Sequence, residues 1–390
     1  MMPRVLYVQY TNPAAYPCLE HSSIILAHNK WQVTFLGADT PATVALDFPS
    51  HQQIDVHRIA ISPKGWRQKL AYLRFGLWVL YWTVRWRPQW IYASDALSCP
   101  IALALSFLPG IRVVYHEHDS PSAVKATASH NLKSRSLRCM LWARKRLARK
   151  AALCVLPNRR RARSLTTATD RSSTVLCVWN CPRRDEVMAP RASSNPDTLL
   201  AFYHGSIVPP RLPITVVHAL AMLPSGVRLL VAGYETAGHT GYVKHLEQEA
   251  RRLGIADRLE FLGPISPRKD LLNQCARADV GLALMPHHSR DMNLRYMVGA
   301  SNKPFDYMAC GLALLVSDIA DWRTMYAEPG YGLTCDPEDP STIAAALHWL
   351  LQHPAEMRKM GEAGRQKIIA EWNYDQQFAP VYERMAKGLV

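Results

Sequence analysis

Residues 292–318 read MNLRYMVGASNKPFDYMACGLALLVSD, and this stretch contains the change from a helical to a strand-like pattern that decides the fold. A polar turn at residues 301–303, Ser-Asn-Lys, leads into a short helix that we predict from Phe305 to Cys310. The apolar run Ala313 to Val316 follows almost at once, as expected for a strand that is buried on both faces. A helix that passes directly into such a strand is typical of an α/β fold with a parallel sheet.

The same alternation of short apolar runs and helical stretches extends over the whole chain in two halves. The strand candidates are Arg4–Gln9, Trp31–Leu36, Ile54–Ile59, Trp90–Ala93, Arg112–Tyr115 and Leu153–Leu156 in the first half, and Leu199–Tyr203, Val227–Ala232, Leu259–Leu262, Val280–Leu284 and Ala313–Val316 in the second. A linker rich in Pro, Ser and Asn, residues 189–197, separates the halves. We therefore predict an α/β protein with two doubly wound Rossmann-like domains, residues 1–189 and 190–372, facing a central cleft. A last helix within 373–390 is expected to cross back to the first domain.

The charge of the chain is concentrated in its first half. Residues 1–190 hold 26 Lys and Arg against 10 Asp and Glu, a net charge of +16, whereas residues 191–390 hold 20 against 21. This asymmetry indicates an anionic partner for the first half. The alternative is a solvated basic surface that only aids solubility.

Two stretches of the first half combine basic with apolar residues, Gly65–Arg87 and Lys133–Lys150. Such a helix can lie in a membrane interface, and the alternative is that its apolar face packs on the sheet. For the first stretch we favour packing on the sheet. We expect the second, which holds eight Lys and Arg, to contact anionic lipid. The residues predicted for that contact are Arg144, Lys145, Arg146 and Arg149. Because the sequence opens without a signal-peptide pattern and has no apolar run of spanning length, we predict a cytoplasmic protein attached peripherally to a membrane.

Several common sequence motifs are missing from the 390 residues. The glycine-rich motifs of dinucleotide dehydrogenases and P-loop NTPases do not occur, nor does the G-x-S-x-G of α/β-hydrolases. The nine cysteines show no C-x-x-C spacing and are expected to be free thiols. No zinc-type spacing and no D-x-D in a suitable loop is found, so neither a metal nor a cofactor is expected.

The turn at residues 301–303 suggests a nucleotide site. The N-terminus of the following helix offers free N–H groups to an anion, and Lys303 adds a formal positive charge. Asp306, in the first turn, is placed to accept hydrogen bonds from the vicinal hydroxyls of a ribose. This spacing fits a nucleoside diphosphate. The alternative is that Asp306 stabilises the helix start and Lys303 is a surface charge.

This stretch resembles the donor-site motif of the retaining GT-B glycosyltransferases of glycosyltransferase family 4, which often reads N-K-x-F-E-Y-M-A-x-G-x-P-V. The Gly-Tyr-Gly-Leu of residues 330–333, the Asp-Pro-Glu-Asp-Pro of 336–340 and the Trp-Asn-Tyr of 372–374 match what that family shows next. The resemblance covers most of residues 199–386. It implies transfer of a sugar from a nucleoside-diphosphate sugar to an acceptor, with retention of anomeric configuration and without a metal.

The resemblance also implies site residues in the second half. The family's second motif glutamate falls on Asp306, and the first falls on Val298, which has no carboxylate. The family's diphosphate-binding arginine and lysine fall on Ser206 and Arg211. Backbone around residues 263–266 is a candidate base pocket. The predicted donor-binding residues are Gly205, Ser206, Arg211, Gly233, Ser301, Asn302, Lys303 and Asp306.

In the first half, the resemblance points to the strand end at residues 116–119, His-Glu-His-Asp. Family members often place a histidine there beside the transferred sugar, and His118 is the predicted catalytic residue. A neutral imidazole can hydrogen-bond a sugar hydroxyl. The alternative is an ordinary loop histidine. The basic charge of this half favours a lipid-linked or glycan acceptor.

Three other functions remain open on the sequence. A sugar-nucleotide 2-epimerase shares the GT-B architecture, but it would need more acids and bases in the cleft. A non-catalytic GT-B-like protein would fit the loss of the family's charged residues at Val298 and Ser206. A nucleic-acid-binding protein would fit the charge of +16, but no known RNA-binding module is recognisable and no nucleic acid is expected as a partner.

Overall fold

The chain divides into two compact units. The computed structural model describes residues 2–39, 43–44, 46–61, 65–121, 132–189, 197–236 and 238–389, without the side chains of residues 132–134. Unit 1 comprises residues 1–180, 291–300 and 374–390, and unit 2 comprises residues 181–290 and 301–373. Unit 2 therefore begins before the predicted boundary at residue 190. Residues 291–300, which we predicted in the second domain, belong to unit 1. Most of the predicted linker, residues 190–196, lies outside the described residues.

Each unit contains one parallel sheet. The strands are β1 Arg4–Val8, β2 Gln32–Asp39, β3 Ile54–Ala60, β4 Trp90–Ser94, β5 Arg112–His116, β6 Leu153–Leu156, β7 Val175–Cys177, β8 Leu199–Ile207, β9 Val227–Glu235, β10 Leu259–Gly263, β11 Val280–Ala283, β12 Ala313–Ser317 and β13 Gly332–Cys335. In unit 1 the order is β3-β2-β1-β4-β5-β6-β7, and in unit 2 it is β10-β9-β8-β11-β12-β13. Both orders reverse direction once, between β1 and β4 and between β8 and β11. Ligands of doubly wound sheets bind beyond the carboxyl ends of the strands at such a reversal.

Helices connect the strands. They are α1 Pro17–His28, α2 Trp66–Trp86, α3 Asp95–Leu105, α4 Leu132–Lys150, α5 Arg159–Thr169, α6 Thr215–Ala221, α7 Tyr242–Arg252, α8 Arg268–Cys275, α9 Met292–Arg295, α10 Lys303–Ala309, α11 Ala320–Trp322, α12 Pro340–Gln352, α13 Pro354–Ala370 and α14 Tyr374–Lys387. The central strands β1, β4 and β12 are buried along almost their whole length because helices cover both faces of each sheet. The prediction of an α/β fold with two doubly wound Rossmann-like domains is confirmed.

In unit 1, the two faces of the sheet carry different helices. Apolar side chains of α2, α3, α4 and α5 form one cluster with the strands. Those of α1 and α14 form another, in which Tyr374, Phe378, Val381 and Met385 are fully buried. The last helix is therefore part of the core of unit 1.

Helix α2 departs from its prediction. Its inner side chains Phe75, Val79 and Thr83 are buried, as expected for a helix that packs on the sheet. Its outer face is also apolar, and the side chains there are exposed. The expectation that the apolar residues of this stretch simply pack on the sheet is wrong for that outer face.

Candidate functional site

Two glycines lie near the carboxyl ends of the neighbouring strands β8 and β9 in unit 2, and β8 borders the point where the sheet order reverses. Gly205 lies in β8 with φ of 101°, and a Cβ placed on it would lie 3.1 Å from Lys303 Nζ. Gly233 pairs with it from β9, and a Cβ there would lie 1.9 Å from the carbonyl oxygen of Gly205. Only glycine permits these approaches. The backbone at this strand end is thereby open to the Lys303 ammonium group.

Lys303 is buried, whereas the alternative interpretation of the sequence was that it is a surface charge. Its side chain stands over the ring of Tyr203, with Nζ 5.2 Å from the ring centroid. Burial first, and then the charge of the nearby Arg211, lower the pKa of Lys303 to about 7 against the opposing effect of Asp306. Within the described residues, neither Lys303 nor Arg211 forms an ion pair with a carboxylate. Two cations that interact with each other and have no carboxylate in ion-pair contact form a site that an anion would stabilise.

Asp306 has a different partner from the predicted ribose. Its carboxylate is fully buried, and both of its oxygens accept hydrogen bonds from Arg268, at 2.6 Å and 3.2 Å. Arg268 also donates to Glu186 over 2.7 Å. Burial alone would lower the pKa of Arg268, but the two carboxylates raise it above its ordinary value. Ribose binding by Asp306 stays a prediction, and the structure assigns that carboxylate to a buried ion-pair cluster.

The neighbouring His204 is neutral. Burial first, then Lys303 and Arg268, hold its pKa well below the ordinary value. Its Nε2 lies 3.4 Å from a carboxylate oxygen of Asp306. Because the ring is uncharged, this contact is not an ion pair.

The turn before α10 is occupied by internal contacts. The helix begins at Lys303, two residues before the predicted start, and spans only seven residues. Ser301 is buried, and Asn302 Nδ2 donates to Asp306 over 3.2 Å. Near the strand end, the backbone oxygen of Ser206 accepts a hydrogen bond from the Tyr203 hydroxyl. Anion binding at the start of α10 therefore stays a prediction, and Lys303 is the positively charged side chain of that turn.

In unit 1, His118 follows β5 beside the end of β4. Its Nδ1 lies 3.2 Å from Cys18 Sγ, and its Nε2 lies 3.0 Å from Ser94 Oγ. Its backbone N–H donates to Asp95 at the start of α3 over 2.8 Å. Burial and the charge of Arg161 lower the pKa of His118 to about 3. The imidazole is therefore neutral, the form that the sequence argument used.

The predicted lipid contact on α4 needs correction. Arg144 donates two hydrogen bonds to Glu117, and only 12% of its side chain is exposed. Lys145 and Arg149 both pair with Asp170 at the surface. Of the four predicted residues, only Arg146 is without an ion pair among the described residues, and it stacks over Trp142. Arg144 is a buried structural residue and is not available to a headgroup.

The segment 291–300 is fixed within unit 1 by hydrogen bonds from several residues, among them two buried side chains. Arg161 is 1% exposed and donates to the carbonyl oxygens of His118, Asn293 and Tyr296 over 2.6 to 3.0 Å. Asn158 donates to those of Tyr296 and Val298 over 2.9 and 2.8 Å. Val298, the position of the missing motif glutamate, thus lies in a segment held by backbone contacts.

The described residues contain no group of three or more His, Cys, Asp or Glu placed to hold a metal ion. Among the same residues, no helix is both long and apolar enough to cross a bilayer.

Each half of the chain matches the model of a known protein family. A glycosyl transferase 4-like domain matches residues 24–178, and a glycosyl transferase-like domain matches residues 215–382. The chain belongs to the GT-B glycosyltransferases. This confirms the family that we predicted from the sequence.

Known GT-B relatives are distant. A D-inositol 3-phosphate glycosyltransferase of Xylanimonas cellulosilytica is 27% identical over 192 residues, which are 49% of this chain and 43% of the relative. The chain therefore matches less than half of the length of that relative. Sucrose-phosphate synthase from Thermosynechococcus elongatus has a TM-score of 0.73 at 17% identity, with 99% of both chains covered. HepE of Anabaena, solved with UDP and glucose, has a TM-score of 0.71 at 16% identity, with 99% of this chain and all of that one covered. These structures establish the shared fold.

Sequence reasoning missed the residues that stabilise the site. Arg268 and Asp306 are 38 positions apart, and nothing in the sequence pairs them. Arg161 stands in the run Asn-Arg-Arg-Arg-Ala-Arg, which looks like a surface patch. The one available signal was Asn158, because an asparagine before a helical stretch is a common N-cap, and its side chain does accept from the Arg161 N–H.

Proposed function

We propose that this chain transfers a sugar from a nucleoside-diphosphate sugar to a lipid-linked or glycan acceptor, with retention and without a metal ion. The observation that carries the proposal is the pair of cations, Lys303 and Arg211, beside the glycine-lined end of β8. The charge, the burial and the place in the sheet all suit a diphosphate.

The two cations would stabilise the leaving diphosphate. Departure of a nucleoside diphosphate develops negative charge on its outer oxygens, and fixed donors in a dry site stabilise that charge without reorganising. Arg211 can bind two phosphate oxygens at once, whereas Lys303 acts as a point charge. His118, neutral at physiological pH, is proposed to hydrogen-bond a hydroxyl of the transferred sugar.

UDP-sugars are the first donors to test, because the structurally similar HepE was solved with UDP and glucose. The acceptor is proposed from charge. Unit 1, with the boundaries found in the structure, holds 27 Lys and Arg against 11 Asp and Glu, which is a net charge of +16. An acceptor carried on a polyprenyl diphosphate would bring negative charge to this unit, and we place the reaction at the cytoplasmic face of a membrane.

Nucleotide binding and donor turnover test the proposal together. We expect UDP or another nucleoside diphosphate to raise the melting temperature of the wild type, and Arg211→Ala to lose most of that shift. Slow hydrolysis of the matching nucleotide sugar without acceptor should accompany binding. A sugar nucleotide returned with an inverted C2 centre would show the epimerase instead. Absence of any nucleotide-induced shift would contradict the donor site.

A further inference from the structure

The outer face of α2 carries a continuous apolar stripe, which we call the α2 stripe. Its members recur every three or four residues along the helix, and each is between 40% and 70% exposed. They are Trp66, Leu70, Leu73, Leu77, Leu80, Tyr81 and Val84. No described residue covers them. A soluble surface rarely leaves such a run uncovered without a partner.

Basic residues surround the stripe, and acidic residues are missing around it. Arg67, Lys69, Arg74, Arg85 and Arg87 are all exposed on the same helix and its C-cap. The sequence has no Asp or Glu between Asp55 and Asp95. Within the described residues none of the five cations has an ion-pair partner. The partner of this face should therefore be both apolar and anionic.

The charge decides between two possible partners. The spacing of the stripe would also suit a second copy of the same helix, packed as in a coiled coil. Two copies would bring Arg67, Lys69 and Arg74 of each chain together without any acidic residue to pair them. Like charges facing each other in this way are destabilising. An anionic bilayer has no such conflict, since its headgroups neutralise the cations and its acyl chains accept the leucines.

The helices on the same face of the sheet also carry exposed apolar residues. α2, α3 and α4 pack on one face of the sheet. Leu97 on α3, Phe107 in the turn after α3 and Trp142 on α4 are exposed. Lys150 Nζ lies 3.5 Å from the ring centroid of Phe107, and Arg146 stacks over Trp142. Aromatic rings beside cations suit the headgroup level of a bilayer.

We propose that the α2 stripe lies in the plane of an anionic membrane, with its leucines among the acyl chains and its flanking cations among the headgroups. This deepens the proposed function by assigning its membrane contact to α2, where the sequence had indicated α4. Because part of the binding is apolar, salt should not abolish it: only the contribution of the cations is screened.

Vesicle co-sedimentation tests the proposal with full-length protein. The vesicles are phosphatidylcholine with about one third phosphatidylglycerol. We expect the triple variant Leu73→Ser, Leu77→Ser, Leu80→Ser to bind about tenfold or more weakly than the wild type, at low salt and at about 0.5 M NaCl. The variant Arg67→Gln, Arg74→Gln, Arg85→Gln should bind more weakly than the wild type at low salt and match the wild type at high salt. The control Met222→Ser, Leu389→Ser removes exposed apolar residues outside α2 and should bind as the wild type does.

Two results would overturn the assignment. One is wild-type vesicle binding by the leucine variant. The other is a wild-type dimer that the leucine variant dissociates while its vesicle binding is unchanged, which would make the stripe a self-association surface. Circular dichroism and the nucleotide-induced melting shift, measured on every variant, show whether the fold and the donor site persist. A wild type that binds vesicles but no nucleotide contradicts the proposed function and leaves the α2 assignment standing.

Discussion

At the residue scale, the proposed donor site depends on a lysine whose pKa the fold lowers to near neutral pH. Lys303 is buried beside Arg211, and its pKa is lowered to about 7. A dianionic ligand favours the charged ammonium and raises that pKa. The folded protein should therefore take up a proton when it binds a nucleoside diphosphate at a pH above 7.

We expect nucleotide affinity to fall as the pH rises from about 7 to 9, because the free enzyme must be protonated at Lys303 before or during binding. Calorimetry at about pH 8 in buffers of different ionisation enthalpy should show uptake of close to one proton. Lys303→Met should remove the uptake and weaken binding by about tenfold to a hundredfold. The exposed Lys359→Met, on α13, is the matched control. Unchanged proton uptake in Lys303→Met would assign the titration to another group.

Asp306 permits a second test, which separates stability from ligand contact. Asp306→Ala leaves the buried Arg268 with Glu186 alone, and we expect a loss of about 3–5 kcal/mol in the free energy of unfolding. The double variant Asp306→Leu, Arg268→Met should recover part of that loss. Urea unfolding measures both, with the exposed Asp270→Ala as control. A folded Asp306→Ala of normal stability that has lost nucleotide affinity would instead support the predicted ribose contact.

At the element scale, segment 291–300 is held through its backbone carbonyl oxygens and through the Asn293 side chain, which hydrogen-bonds the backbone of Ser120. We expect Arg161→Ala to leave the carbonyl oxygens of His118 and Asn293 without this donor and to free the segment. Trypsin should then cleave after the exposed Arg295 several times faster than in the wild type. Arg163→Ala removes an exposed arginine from the same helix, α5, and should not change the rate. Equal cleavage in both variants would show that the contacts of Asn158, Asn180 and Asn293 hold the segment without Arg161.

Segment 291–300 also shows which parts of the fold and of the candidate site the sequence could predict and which it could not. Periodicity located most strands, because a strand buried on both faces must be apolar and short. Lys303 could be proposed because a lysine at a helix start suits a phosphate, whereas Gly205 and Arg211 were proposed through the resemblance to glycosyltransferase family 4. The assignment of 291–300 to unit 1 could not be, since it depends on Arg161 reaching carbonyl oxygens more than 130 positions away. Every residue type has a backbone carbonyl that can accept a hydrogen bond, so the residue types of 291–300 do not reveal these contacts.

At the scale of the whole molecule, the proposed chemistry is carried by fixed side chains. If Lys303 and Arg211 neutralise the leaving diphosphate, transfer should continue after treatment with EDTA, because no ion is needed for that charge. Initial rates with and without chelator should agree within about twofold. A rate that disappears with EDTA and returns with Mg²⁺ or Mn²⁺ would show that a metal shares the diphosphate.

The place of α14 in the core of unit 1 also bears on how the protein is made on the ribosome. Unit 1 has all of its strands once residue 180 has emerged, but the apolar groove that receives Tyr374, Phe378, Val381 and Met385 is then still uncovered. Roughly 190 more residues must be translated first, which takes on the order of 10 to 40 s at about 5–20 residues per second. During that interval the nascent chain exposes a surface that chaperones recognise. Maturation of the first half therefore waits for the end of synthesis of the second.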